Sequence, residues 1–305
     1  MPSNYQPPSS SEILASQNSD NHLNLLLAQR KVYSSAKIWS NVRYFGVFVV
    51  AVSAPTLTAF DKHLAVPLAT VASIWYVLNI VLFKYLERRG AARGAIIQEE
   101  FDMRIFGMPM IAVREPRILP EDMAALKMPS RRAMYSVEKL RDWYPIENHL
   151  PGRVAIAIAQ RANAAYTRRL LLWYASLWLT VLVVWALVAV GIGLCKGFSL
   201  ETFLLAVAIP ILPPLVDAWE EFTRVRSASR EREALANEIH DAIAADPVSQ
   251  ILPEQLLAWQ SQLFSLRRDA PLVPDWLYKL LRKRNEREML AAAKEISTRF
   301  ESGGG

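Results

Sequence analysis

The chain has 305 residues, 52% of them hydrophobic and 21% charged, with a formal net charge of +6. That is too much charge for a bundle made only of membrane spans, so a sizeable soluble part with its own core must accompany any spans. A single cysteine, Cys195, excludes an internal disulfide and a cysteine-based metal centre.

Residues 1–20 open as MPSNYQPPSSSE, polar and rich in Pro and Ser, which reads as a disordered tail. No signal peptide is visible there, so the first span is expected to serve as its own insertion signal. Residues 21–43 read as a juxtamembrane helix. Leu25, Ala28, Val32, Ala36 and Trp39 recur at helical spacing on one face, with Arg30, Tyr33 and Lys37 on another.

Four long stretches without a charge then appear as two tight pairs, 44–60 with 64–83 and 170–194 with 202–216. A helix needs about 20 residues to cross the hydrocarbon. Leu170–Leu194 supplies 25 and Leu64–Phe83 supplies 20. Each pair is predicted to be a membrane hairpin, the first over 44–83 and the second over 170–219. The tips are short, Asp61 to His63 and Cys195 to Glu201. In the second span, Ala69 and Ser73 form a small-xxx-small pair that permits close helix approach. The fourth contains Pro210, Pro213 and Pro214, each lacking an N–H, which predicts either a packed kink or a hinge.

The central region 84–169 is expected to be cytoplasmic. It starts with a basic linker from Glu87 to Arg93, followed by IIQEEFDMRIFGMPM, where Gly107 and Pro109 suggest a turn after a short strand or helix. A helical piece is predicted around 131–143, and a small Ala-rich helix over 152–169 leads into the third span. A cytoplasmic region at 220–302 follows the fourth span. It opens with a charged helix that extends that span to residue 244. Helices at 253–266 and from 275 to about 300 come next. Gly303 to Gly305 form a flexible end. The predicted fold is therefore mainly α, a four-helix transmembrane bundle of two hairpins with a largely helical cytoplasmic part.

Charge sets the orientation. Lys62 and Lys196 are the only cations in the hairpin tips, and the other 33 of 35 lie in the arm, the central region, the tail or at their membrane borders. By the positive-inside rule those regions and both termini face the cytoplasm. The +6 excess is juxtamembrane in large part (Arg43, Lys84, Arg88, Arg89), which argues against a nucleic-acid polymer as partner.

Enzyme signatures are largely missing. The four histidines, 22, 63, 149 and 240, are far apart, and no HExxH, paired CxxC, Walker loop or GxSxG occurs. Glu238, His240 and Asp241 do not share a helix face and read as a solvated helix end. Glu99, Glu100 and Asp102 are dense enough to suggest a metal, but without a second ligand set they are expected to pair with Arg88, Arg89, Arg93 or Arg104. No metal and no catalytic residue is predicted. The uncharged spans suit either an anchor or an oligomeric pore lined by Ser53, Thr56, Thr70, Ser73 and Asn79, with Pro210, Pro213 and Pro214 as a gate. Arg131, Arg132, Arg141, Trp143, Tyr144, Arg161 and Tyr166 combine guanidinium forks with aromatic faces, as a phosphorylated nucleotide requires, or else are surface charges and membrane anchors. The basic helix Trp276–Arg287 suits a membrane surface or an oligomer contact.

LLAQRKVYSSAK before the first span, IIQEEFDMRIFGMP after the second, KLRDWYP, AQRANAAYTRRLLLWYA entering the third, and REREALANEIHDAI after the fourth occur in an order that resembles the SMODS-associating four-transmembrane effectors. The resemblance covers about residues 22–245. It implies a pore-forming effector of a bacterial anti-phage system, seated in the inner membrane and controlled by a cyclic oligonucleotide from a partner nucleotidyltransferase. No cofactor beyond that regulatory ligand is implied. On the matched motifs, the ligand contacts are placed at Arg104, Arg141, Tyr144 and Arg161, with Arg30 as a lid. Membrane lipid and further copies of the chain are the other expected partners. Two rival readings stand beside this one: a membrane-anchored enzyme acting on nucleotides or lipids through QEEFD and His149, and a scaffold that does not gate.

Overall fold

The computed structural model describes residues 5–60, 63, 65–109, 118–127, 138–195, 197, 199–204, 209–245 and 251–302. Mainly helical, these contain no strand. The elements are α1 (Ser10–Gln17), α2 (Asp20–Phe60), α3 (Ala65–Leu78), α4 (Lys84–Ile105), α5 (Pro120–Lys127), α6 (Gly152–Cys195), α7 (Ile209–Ala244), α8 (Pro253–Arg268) and α9 (Asp275–Ser302). A π-helical segment, Asn79–Phe83, joins α3 to α4 without a break.

Two long hairpins organise the chain: α2 packs along α3–α4, and α6 packs along α7. At 41 residues, α2 is roughly 60 Å long, and the 44-residue α6 is longer still, so each reaches about twice the thickness of a bilayer core. The apolar halves stay uncovered. Phe45, Phe48, Val66, Ile74, Val81, Val183, Leu187 and Leu212 are all exposed. Two helical stretches among the described residues, Val66–Ile105 and Gly152–Val188, are long and apolar enough to cross a membrane, and their apolar windows are only 11% and 17% buried. A core helix of a soluble protein would hide that surface.

The polar halves build the opposite end, where α1, α8 and α9 complete a continuous core. Leu23, Leu26, Ile97, Phe101, Phe106, Ile156, Leu235, Leu256 and Trp259 meet there. A second cluster links α6, α7 and α9 through Leu171, Tyr174, Val225, Leu277 and Leu281. One face of the basic helix Trp276–Arg287 is therefore used inside the chain, while Trp276 and Leu280 remain exposed.

Two expectations change. The tail expected to be disordered is packed from Tyr5 onward. Ser9 caps α1, its hydroxyl accepting from the Glu12 N–H while the Glu12 carboxylate accepts from the Ser9 N–H. Ile13 is fully buried, and the Tyr5 hydroxyl donates to the Phe106 carbonyl at 2.8 Å. Polar composition concealed two apolar anchors and a capping box. Second, the basic linker Glu87–Arg93 is helical, part of α4. Gly90 and Gly94 lie one turn apart and let α2 approach. A Cβ on Gly90 would sit 2.6 Å from the Ala36 Cβ, and one on Gly94 would sit 2.8 Å from the Tyr33 ring. Of the strand or helix expected before the turn at Gly107, the helix forms, as the last turns of α4, and Gly107 takes φ +62 in the turn. The helical piece expected at 131–143 falls largely outside the described residues, which show a 3-10 turn at Glu138–Leu140.

The close α2–α4 approach carries a prediction. Gly90→Val and Gly94→Val each lower stability by about 1–3 kcal/mol through overpacking. Gly191→Val, whose Cβ would have no heavy atom within 4 Å, leaves it unchanged. Thermal unfolding of the detergent-solubilised full chain checks all three.

Candidate functional site: two charged junctions between the hairpins

The first junction lies in the core of the polar end. Glu99 and Asp102, one turn apart on α4, are both buried. Arg267, at the end of α8, places its Nη1 2.6 Å from Asp102 Oδ2 and 3.7 Å from Glu99 Oε2. Gln260 Nε2 donates to Glu99 Oε2 at 2.7 Å and to Asp102 Oδ2 at 3.0 Å. Tyr144 donates its hydroxyl to Asp102 Oδ1 at 2.6 Å, and Asn163 of α6 donates to that phenolic oxygen at 3.4 Å. Gln160 of α6 donates to the Gln260 amide oxygen at 3.1 Å. One buried network thus joins α4, α6 and α8.

Its electrostatics are asymmetric. Burial alone would depress Arg267, but Asp102, Tyr144 and Glu99 outweigh it and hold its pKa above the ordinary arginine value. Arg232 of α7, equally buried, makes no ion pair among the described residues, and Glu231 and Tyr33 offset its burial only in part. Burial, and then the Arg267 charge, push it down to about 10. Its guanidinium donates to the carbonyls of Ala228 and Leu266, capping the last turn of α8. Burial and the Asp102 charge push the Tyr144 hydroxyl up, which keeps it a donor at neutral pH.

The second junction sits at the border of the apolar belt. Arg43 of α2 binds Glu87 of α4 at 3.0 Å, with both side chains about 93% shielded. Arg224 of α7 approaches the same carboxylate at 3.8 Å and holds Glu221 at 2.7 Å. The Arg43 guanidinium lies 4.1 Å over the Tyr44 ring, which in turn meets Trp178 of α6 at 5.0 Å. Beside it the π segment buries Asn79, whose Oδ1 has no hydrogen-bond partner among the described residues. A cavity of about 140 Å³ opens there, lined among others by Asn79, Lys84, Asp217 and Arg224. Single-turn π segments inside α-helices recur at functional positions because they shift the register of one face.

The acids of QEEFD were expected to find nearby arginines. Glu100 does, binding Arg104 at 2.5 Å. Arg93 instead takes Asp122 at 2.5 Å, and the buried pair Glu99 and Asp102 is approached by Arg267, 165 residues beyond Asp102. Nothing local in sequence announces that partner. The only cue was a buried-face pattern in α8 that ends in two arginines. No His, Cys, Asp and Glu grouping able to hold a metal occurs among the described residues. Glu238, expected to be solvated, accepts from the Trp259 indole at 2.8 Å.

The predicted ligand contacts do not form one cluster. Arg104 is spent on Glu100, and Tyr144 is wired to Asp102. Arg30 faces Tyr278 and Arg282 of α9 and Tyr166 of α6, and burial, then Arg282, push its pKa down. Arg161 is half-buried, with its Nε lacking a hydrogen-bond partner. Arg141 lies exposed in the turn before Tyr144, and Arg131 and Arg132 lie outside the described residues. Of the predicted pore positions, Thr70 and Ser73 are exposed and donate to the carbonyls of Val66 and Ala69, four residues back. The side chains of Ser53, Thr56, Pro210, Pro213 and Pro214 lie outside the described residues. The backbone through the three prolines is helical, within the first two turns described for α7.

Long helices whose uncovered apolar halves run into a helical head define a helical protein of the membrane-associated class. The chain belongs to the SMODS-associating 4TM effector domain family, which it matches over residues 11–296. It is 25% identical over 286 residues to a probable CBASS effector molecule of Bacillus cereus (strain VD146), covering 91% of this chain and 96% of that one. No solved structure matches it.

Two variants test the junctions. Arg267→Met strands two buried carboxylates and costs about 3–5 kcal/mol, whereas Arg268→Met, on an exposed side chain, changes stability by less than about 0.5 kcal/mol. Glu87→Gln takes from the buried Arg43 the carboxylate it pairs with. We expect it to lower the melting temperature, and Arg43→Met in the same chain to recover part of the loss. Both are read by unfolding of the full chain in detergent.

Proposed function

We propose that this protein is a non-enzymatic effector of bacterial anti-phage immunity that perforates the inner membrane. Its four apolar segments form two spanning hairpins, with both termini cytoplasmic, and several copies assemble around a lumen. A cyclic oligonucleotide from a partner nucleotidyltransferase shifts a closed–open equilibrium, which requires that it bind the two states unequally. Family membership and the relative's name support the effector role.

The observation that carries the mechanism is continuity. The helices α2, α6 and α7 and the α3–π–α4 run pass from the apolar belt into the polar core without interruption. A shift at the polar end is therefore carried into the belt by rigid helices rather than by linkers. Arg30, Arg141 and Arg161 are the cations we propose to meet the signal's phosphates. Arg104 would do so only after releasing Glu100, and Tyr144 would respond through Asp102. Thr70, Ser73 and Asn79, with Ser53 and Thr56, are the polar positions proposed for the lumen, and Pro210, Pro213 and Pro214 for the gate. The enzyme reading is disfavoured because Glu99 and Asp102 are already committed to Arg267, Gln260 and Tyr144.

Purified protein in liposomes, exposed to a panel of cyclic di- and trinucleotides, is expected to change its release of dye and ions with one member of the panel. The direction of change gives the sign of gating. Absence of any ligand-dependent release from inserted protein counts against the proposal.

A further inference from the structure

A second and larger cavity, of about 610 Å³, opens beside the border junction between α3–α4 and α7. Its lining has a definite pattern. Lys84 and Arg88 stand on the α4 wall, and Asp217 and Glu220 stand on the α7 wall. Towards the apolar belt the lining changes to Tyr76, Ile80, Leu212 and Val216. Two cations therefore face two anions across a gap whose floor is hydrocarbon-like.

These opposite charges do not close on each other. Among the described residues no ion pair within 4.0 Å includes Lys84, Arg88, Asp217 or Glu220, whereas Arg43, Glu87, Glu221 and Arg224 alongside are all paired. The same four residues also line the smaller cavity. A gap that separates opposite charges fits a guest that is itself a dipole.

We infer that the cleft between the hairpins holds a zwitterionic phospholipid whose headgroup ends in a primary ammonium. The phosphate meets Lys84 and Arg88, which suit an oxyanion. The ammonium, with three N–H donors, meets Asp217 and Glu220. The acyl chains follow Tyr76, Ile80, Leu212 and Val216 into the belt. An anionic glycerol headgroup would leave the two carboxylates without a cation. A choline headgroup has no N–H to donate. A cyclic oligonucleotide would set its phosphates against two carboxylates. The inference rests on the reading of the apolar segments as spans. A lipid so placed lies between the two hairpins and separates with them.

The test uses the full-length protein in mild detergent, stripped of lipid and titrated with phosphatidylethanolamine, phosphatidylglycerol or phosphatidylcholine, with bound lipid counted by native mass spectrometry. Wild type is expected to retain phosphatidylethanolamine about tenfold better than phosphatidylglycerol, the equivalent of one well-placed charge contact. Asp217→Asn with Glu220→Gln removes that preference while binding persists, and Lys84→Ala with Arg88→Ala weakens retention of all three lipids. Equal retention by wild type, or a preference for phosphatidylglycerol, overturns the inference. Alkaline carbonate extraction of the same protein from membranes separates the two levels. Release into the supernatant overturns the spanning reading and this inference together, whereas retention with no lipid preference overturns this inference alone.

Discussion

Two carboxylates buried one turn apart on α4 are the constraint around which the polar end is built. Unpaired, Glu99 and Asp102 would repel each other and forfeit hydration, at a cost of several kcal/mol per ion. They are tolerable only if α8 delivers Arg267 and Gln260, and if the segment before α6 delivers Tyr144. That requirement fixes where α8 docks, where the chain from 140 to 150 runs, and how the two hairpins sit at their polar ends. The N-terminal segment completes the arrangement. Gln17 binds the Tyr144 backbone in both directions, and Asn18 holds the turn at Asp142, which takes φ +51.

The two junctions differ in what they restrain. The inner one ties three helices through a connected polar network and sets a discrete geometry. The border one is a chain of charges, Arg43–Glu87–Arg224–Glu221, in which one carboxylate is shared by both hairpins. Sharing makes the border junction sensitive to small displacements, since Arg224 already stands 3.8 Å from Glu87. Glu99 and Asp102 lie about three and four turns further along α4 than Glu87, so both junctions load the same rigid rod. Both junctions thus act on one continuous helix that runs from the head to the border of the apolar belt.

The Gly90 and Gly94 contacts and the π segment act on that rod in complementary ways. The glycines bring α2 and α4 together along the polar half. The π segment then rotates the face of the helix as it enters the belt, so that Asn79 and Phe83 point inward while Ile80, Val81 and Leu82 point out. Trp75, which meets the Phe83 ring, fills the space beside Gly46, where a Cβ would lie 1.8 Å from the Trp75 ring. Close packing below and a register shift above leave the cleft between α4 and α7 open.

Hydrophobicity and helical periodicity act over short stretches, and what they govern was legible in the chain itself: the long apolar segments, the helix running from residue 20 into the first of them, the extension of the last to residue 244, and helices α8 and α9 almost to their ends. The family resemblance was legible too, in the order of its motifs. Tertiary structure alone decided which charges meet. Arg267 and Asp102 are far apart in sequence, as are Arg224 and Glu87, and the worth of such pairs depends on burial, which no local pattern encodes. The same holds for the tail. Tyr5 and Ile13 look like isolated apolar residues in a polar segment until the surface they cover is assembled from α4, α6 and the turn between them.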